Sequence, residues 1–497
     1  MLFDKLTPEE AGIESRYIAD YVSVLERHGL TTHSLLMMKG EKIFAEYYWA
    51  PFNRDFLHRM YSQTKSYVSL AIGLLEEEGK LSLDDPMVKY FPDKVRRDLP
   101  EYLREQTIRD MLKMSTACHP PYWFGTVNPD RTDEYINDSK ADRPSGTIWE
   151  YDSAGSQVLS SLAERLSGMK LLEYLKLKIF NKMGTFQTAR ILETPNGDSW
   201  GDSALLCTTR DMASGGRFVL NYGVLDGERL MNERYLREAT SNLIDNNVSG
   251  FEGCFTHGYG YQIWRTEQDG FAFVGMGDQI TICVPAKDLV FVITSDNQFL
   301  PQARELLVDS MFDLIVGNMK DTPAPVDDAQ IKRLSEMTSD LKLRSVKGKV
   351  TVPFAEKING KRFTVSGENK MGIKEFSFDF AESPDGACRF NYVNAQGEKT
   401  LYFGMCRNEF GKFPQFGYSD ERGGTVSEGG YTYDCAASAA WREEQKLMLR
   451  VWITDKYLGN MTAVFAFKDD LAVVHMTGNA ENFLKEYNGE LVASLSE

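Results

Sequence analysis

Ser62 and Lys65 stand three residues apart in MYSQTKSYVSLAIGLLEEEGK, at the head of the most apolar helical pattern in the first part of the chain. A serine hydroxyl is a weak nucleophile until a neighbouring group takes its proton, and an amine drawn out of water can serve as that group. Residues i and i+3 of a helix share a face, so Lys65 can reach Ser62. In the first turn of a helix the backbone N–H groups are unpaired and the dipole end is positive, which suits an oxyanion forming at Ser62. The Ser-x-x-Lys spacing alone carries little information, because it recurs at Ser167/Lys170 and Ser339/Lys342. Ser167 precedes Gly168 near a helix end, and Ser339 lies in the charged stretch SEMTSDLKLRSVKGK. Both read as solvated surface.

A second group with chemistry to offer is Tyr151, which stands with Ser153 on a polar turn before the helical pattern of PSGTIWEYDSAGSQVLSSLAERLSG. Side chains at such a turn project from rigid support. A phenol beside a lysine can pass a proton between nucleophile, leaving group and water. A competing nucleophile is Ser199 in GDSWG, which fits Gly-x-Ser-x-Gly. That elbow must follow a buried strand, and Glu193-Thr194-Pro195-Asn196 precede it instead. His257, alone before a strand pattern, reads as structural. The six histidines are dispersed without metal-ligand spacing, so neither a metal nor another cofactor is expected. The seven cysteines are scattered, with no Cys-x-x-Cys, and read as core thiols.

The elements that must hold these residues follow from the apolar pattern. Residues 8–28 predict a helix, SLLMMKG and EKIFAEYYW a β-hairpin around Lys39-Gly40-Glu41, and the run from Ser62 a helix ended by Gly79. Helical stretches follow at Ile108–Leu112, 153–185 and 208–221. Between them lies a long polar and aromatic segment, 116–150, with His119, Trp123 and Trp149. GYGYQIW, FAFVGMGDQITICV and LVFVITSDN predict strands over about 258–297, and QARELLVDSMFDLIVGNM a closing helix. Strands, many helices, then strands again predict an α+β domain whose sheet joins both ends of its sequence. After the Pro- and Asp-rich joint KDTPAPVDDAQ, period-2 segments such as KEFSFDF, CRFNYVN and KLMLRVWIT predict an antiparallel all-β domain closed as a barrel or sandwich.

Two domains also suit the 497-residue length. The formal net charge of −16 disfavours nucleic acid and anionic membranes as partners and leaves a small-molecule substrate, with oligomeric state unreadable. MLFDKLTPEEAGIESRYI carries acids where a signal peptide would be basic and then apolar, so a cytoplasmic location is expected.

Four stretches in order resemble the serine β-lactamase and penicillin-binding-protein superfamily, in particular its class C-like branch with related esterases and peptidases. YSQTKSYVSLAIGLLEEEGKLSLDDPMVKYFP is similar to the nucleophile helix and following turn of that family, PSGTIWEYDSAGSQVLSSLAERLSG to its tyrosine box, and SALLCTTRDMASGGRFVLNYGVLDGERL to the segment after it. Phe273-Val274-Gly275 best matches the third box on the strand that edges the site. The resemblance implies Ser62 as nucleophile, Lys65 as its activating partner and Tyr151 as general acid/base. It implies the N–H groups of Ser62 and Met276 as oxyanion hole, with Ser153, Phe273, Gly275 and Gly277 against the substrate. A missing hole donor typically costs about 3 to 4 kcal/mol of transition-state stabilisation. It further implies a β-lactamase/transpeptidase-like domain over 1–322, a linker over 323–347 and a lipocalin-like accessory barrel over 348–497. Two departures bear on the substrate: Ser153 stands where the family usually has Asn, and Phe273 where it has a cation that meets a substrate carboxylate. An esterase or amidase working on a neutral acyl group through an acyl-enzyme is therefore expected, with a β-lactamase or D-amino-acid peptidase, or a sensor that acylates without turnover, as alternatives.

Overall fold

The computed structural model describes residues 3–119, 128–248, 250, 253–381, 387–417, 423, 431–480, 484 and 486–496. Trp123 of the aromatic segment lies outside them. The chain divides into two units, one formed by Met1–Lys342 with Glu421–Gly424, the other by Leu343–Asp420 with Thr425–Glu497.

The first unit is built on a seven-stranded sheet in the order β1-β3-β2-β9-β8-β7-β6. Its strands are β1 (Asp4–Lys5), β2 (Thr32–Lys39), β3 (Lys42–Tyr48), β6 (Trp264–Arg265), β7 (Phe271–Gly275), β8 (Gln279–Val284) and β9 (Leu289–Ser295). All pairings are antiparallel except β1 on β3, and β2 pairs with β9 from Lys39↔Leu289 to Thr32↔Ser295. The sheet does join both ends of the domain sequence, as the α+β pattern predicts. Alternation sorts its side chains into two cores. Leu36, Met38, Val290 and Val292 face one side, where α2 (Thr64–Glu77), α4 (Ser153–Ser167) and α5 (Thr209–Leu220) pack. Leu35, Met37, Phe291 and Ile293 face the other, under α1 (Ser15–Arg27) and α6 (Ala303–Leu314). Covering both faces is why these strands read as unbroken apolar runs.

Several boundaries differ from expectation for visible reasons. The first helix starts at Ser15, not residue 8, because Gly12 turns the chain at φ +93° and its backbone lies against the Lys320 carbonyl. The 116–150 segment contains α3 (Arg131–Asp138), capped by Asp130, whose short apolar pair Tyr135 and Ile136 gives too weak a period to register. GYGYQIW is strand only at its end, since Gln262 at φ +58° breaks the extended run. The stretch expected as linker, 323–347, holds α7 (Asp328–Thr338), which buries Leu334 and pairs Arg333 with Asp20 of α1, so the first unit runs on to Lys342. No helix among the described residues is long and apolar enough to cross a membrane.

The second unit is built on a ten-stranded sheet: β10 (Arg362–Ser366), β11 (Glu375–Asp379), β12 (Cys388–Asn394), β13 (Gly397–Met405), β14 (Glu409–Phe416), β15 (Thr432–Glu443), β16 (Lys446–Thr454), β17 (Leu458–Lys468), β18 (Leu471–Ala480) and β19 (Gly489–Leu495). They run β13-β12-β11-β10-β19-β18-β17-β16-β15-β14, and a parallel pairing of β13 with β15 closes nine of them into a ring. Aromatic rings pack inside it, with Phe376, Phe378, Phe390 and Phe465 in mutual contact.

Candidate active site

Ser62 occupies a 3-10 turn, Tyr61–Gln63, that runs directly into α2. The turn is anchored by a short strand, β4 (His58–Arg59), paired with β5 (Leu205–Cys207). Two further hydrogen bonds tie the same pieces together: Met60 N–H donates to the Leu205 carbonyl at 2.8 Å, and Leu205 N–H to Thr64 Oγ1 at 3.1 Å. Tyr61 sits at φ +48°, a region that costs a bulky residue about 1–2 kcal/mol. Its ring is clamped under the Arg59 guanidinium at 4.3 Å, and its carbonyl accepts from Thr64 Oγ1 at 2.7 Å. Packing thus holds a strained residue directly before the candidate nucleophile, which stays half-buried while its neighbours are buried.

Lys65 lies one turn on, its side chain 2 % exposed. Its Nζ donates to Ser62 Oγ at 3.0 Å and to the Asp202 main-chain carbonyl at 2.7 Å, with Asp202 Oδ2 at 4.0 Å. Burial pushes the Asp202 carboxyl above its ordinary range, and the Lys65 charge opposes that. The Tyr151 ring centre is 5.1 Å from Lys65 Nζ. Spacing in sequence therefore becomes proximity in space for Ser62, Lys65 and Tyr151.

Tyr151 is positioned by the helix cap next to it in the chain and by the rings it leans on. Asp152 caps α4, accepting from Gly155 N–H at 2.8 Å while its other oxygen accepts from Thr116 Oγ1 at 3.0 Å and Tyr135 Oη at 3.2 Å. Burial raises the Asp152 carboxyl, and these hydrogen bonds, led by that of Gly155, oppose the rise. On the other side Tyr151 stacks on Trp264 at 5.8 Å and 24°. Trp264 in turn meets Trp149 and Tyr259 edge-on at 5.5 and 5.0 Å, making an aromatic wall beside the lysine. Ser153 opens α4, half-buried.

The third-box strand reaches the same place. Gly275 ends β7, and a Cβ there would lie 2.1 Å from the Met60 carbonyl, so only glycine lets the strand rest against the turn that holds Ser62. Met276, Gly277 and Asp278 form the turn into β8; Gln279 Nε2 donates to the Met276 carbonyl at 3.0 Å, and Arg304 Nε to Asp278 Oδ1 at 3.0 Å. Gly277 takes φ +73° in that turn. Phe273 is a correction to the expected substrate contacts. Alternation along β7 turns its ring into the core, 1 % exposed and edge-on to Tyr67 of α2 at 5.9 Å. Ser199 is fully buried in a loop, its backbone carbonyl accepting from Gln157 Nε2 at 2.9 Å, with no strand-to-helix elbow around it. His257 is exposed in a loop.

Three residues escaped sequence reasoning. Asp202 meets Lys65 across 137 positions, and nothing local in GDSWGDSALL marks it. Gln262 knots the site from behind: its carbonyl and Oε1 accept from Ser66 and Ser156 at 2.8 Å each, and its Nε2 donates to the Met111 carbonyl at 2.9 Å. Asp152 did carry a signal, an acid directly before a helical run.

Over 311 residues the chain is 26 % identical to the 6-aminohexanoate-dimer hydrolase of Paenarthrobacter ureafaciens, covering 58 % of this chain and 79 % of that one. A solved structure described as a candidate 6-aminohexanoate-dimer hydrolase from Bacillus anthracis superposes with TM-score 0.52 at 17 % identity, over 64 % of this chain and 86 % of the other. The octameric penicillin-binding protein homologue from Pyrococcus abyssi aligns over 96 % of this chain and 99 % of its own, with TM-score 0.48 at 16 % identity. The family model described as Beta-lactamase matches residues 18–313, which include the Ser62 turn, the Tyr151 loop and the Gly275 strand, and the chain belongs to that family.

Proposed function

We propose that the protein is a serine hydrolase that forms an acyl-enzyme on Ser62 and acts as an esterase or amidase on small substrates with a neutral acyl group. The observation that carries this reading is the 3.0 Å contact between Lys65 Nζ and Ser62 Oγ, made by a lysine almost wholly removed from water. In the first half-reaction Ser62 Oγ attacks the substrate carbonyl carbon while its proton passes to the Lys65–Tyr151 pair. The carbonyl oxygen becomes an oxyanion facing the backbone N–H groups of Ser62 and Met276. Collapse breaks the bond to the leaving group, which takes the proton back from the pair. Water repeats the sequence on the ester, and Ser62 is restored.

Two features support the neutral acyl group. Phe273 brings no cation to meet a carboxylate, and its ring faces the core. Tyr151 beside Lys65, with Trp264 and Trp149 behind it, brings partly exposed aromatic surface to the site. The relative named for hydrolysing 6-aminohexanoate dimer supports including an amide among the substrates.

The test offers p-nitrophenyl butyrate, 6-aminohexanoate dimer and nitrocefin to wild-type and Ser62→Ala protein, with intact-mass detection of the adduct. Turnover of the ester or amide is expected to fall by at least about 10³-fold in Ser62→Ala, with the mass adduct lost. Turnover surviving that substitution would overturn the reading.

A further inference from the structure

The charges around the Ser62–Lys65 pair are not those the pair needs for its own hydrogen bond. Lys65 has its main-chain acceptor in the Asp202 carbonyl, yet the same residue also sets a carboxylate 4.0 Å from Nζ, 3 % exposed. That carboxylate is held in place: Oδ2 accepts from the Ser203 hydroxyl at 2.6 Å. A second cation approaches from β4. The Arg59 guanidinium is fully buried between the rings of Tyr61 and Trp200, at 4.3 and 4.4 Å, and its Nε donates to the Ser203 carbonyl at 2.9 Å. Its charge, like that of Lys65, acts on the Asp202 carboxyl. Two buried cations beside one strained turn would repel each other, and the guanidinium cannot shed its proton.

From this arrangement, and resting on the acyl-enzyme reading above, we propose that Asp202 is a positioning residue whose carboxylate is the counter-ion of Lys65. It keeps that side chain a charged, three-donor ammonium in the resting state and so sets the pH at which Ser62 becomes reactive. An ammonium can hold the Asp202 carbonyl and Ser62 Oγ at once, which a neutral amine does less well. The other charged or titratable groups that face this spot are Tyr151 from the loop before α4, Asp152 at the α4 cap, and Arg131 from α3, itself 3.4 Å from Glu134. Asp152 is engaged by Gly155, Thr116 and Tyr135, and Arg131 is a cation. Asp202 is thus the carboxylate in salt-bridge range of Nζ among the described residues.

The experiment is the pH dependence of kcat/KM for p-nitrophenyl butyrate in the full-length wild-type, Asp202→Asn and Ser203→Ala proteins, with circular dichroism and thermal melting as checks of folding. The acid limb reports the Lys65–Tyr151 pair as one unit. In Asp202→Asn it is expected to move to lower pH by about one unit or more. In Ser203→Ala, which keeps the carboxylate but removes a hydrogen bond to it, the limb is expected to move the same way by less. A folded Asp202→Asn protein whose acid limb stays put or moves up overturns the proposal. Where Asp202→Asn turns over too slowly, the pH dependence of Ser62 labelling by a fluorophosphonate supplies the same limb. Where it does not fold, Ser203→Ala decides: a downward shift supports the counter-ion, and an unmoved limb overturns it. Failure of the acyl-enzyme reading looks different, as wild-type turnover that is independent of Ser62.

Discussion

Gly275 shows how little room the site leaves. A methyl group there would have to push either β7 or the Met60 carbonyl aside, because backbone rather than a flexible side chain occupies the space. Gly275→Ala is therefore expected to lower stability by about 1–3 kcal/mol through overpacking. Under the proposed mechanism it is also expected to lower kcat/KM by roughly 10²–10³-fold, since the shift would move the Met276 N–H proposed to face the oxyanion. Urea unfolding and ester hydrolysis, measured on the same preparation, check both. At this scale the sequence was most legible where chemistry and spacing coincide: Ser62, Lys65 and Tyr151, singled out from their local setting, lie together in the fold. Asp202 and Gln262 were not, because their partners lie far away in the chain and only folding brings them near. Phe273 was misassigned in its contact because a box match fixes a position, whereas the side to which a strand residue points depends on register.

Among the elements, α4 carries the Tyr151 loop and hangs on its cap. Asp152→Ala removes the acceptor for Gly155 N–H and leaves the Thr116 and Tyr135 hydroxyls without theirs. A loss of about 1–2 kcal/mol is expected from the cap, with kcat falling more than KM changes as Tyr151 loosens. A second element-level prediction concerns pH. His33 at the start of β2 and His58 on β4 are buried, 2.7 Å apart nitrogen to nitrogen. Burial lowers both: His58 falls to about 4, and His33 falls well below its ordinary value. The folded protein thus declines protons that the unfolded chain binds below about pH 6.5. Stability should be full above that pH and decline as pH falls from 6.5 towards 4, with a slope of up to about 1.4 kcal/mol per unit for each histidine. Urea midpoints across that window should show the decline, and His58→Gln should flatten it. The long, doubly buried strands and α2 were legible because their apolar runs are continuous. The short α3 and α7, mostly polar, were not, and both owe their place to a few contacts made across the fold.

For the molecule as a whole, two units with separate cores should unfold in two calorimetric steps. Phe465 touches Phe376, Phe378 and Phe390 inside the barrel, so Phe465→Ala is expected to cost about 3–5 kcal/mol and to lower one of the two transitions. A single shifted transition would show instead that the units melt together. The barrel was readable from period-2 segments; its closure through a parallel β13–β15 contact was not, because pairing between strands leaves no mark on either strand's own pattern.

The pairing of β2 with β9 has a consequence for the nascent chain. The first hairpin emerges from the ribosome with apolar residues on both faces, and the strand that completes its sheet is about 250 residues away, a delay of roughly 10–50 s at ordinary elongation speeds. For that interval Leu35, Leu36, Met37 and Met38 must be shielded by transient partners or chaperones, so yield on overexpression should be governed by synthesis rate more than by the stability of the finished protein.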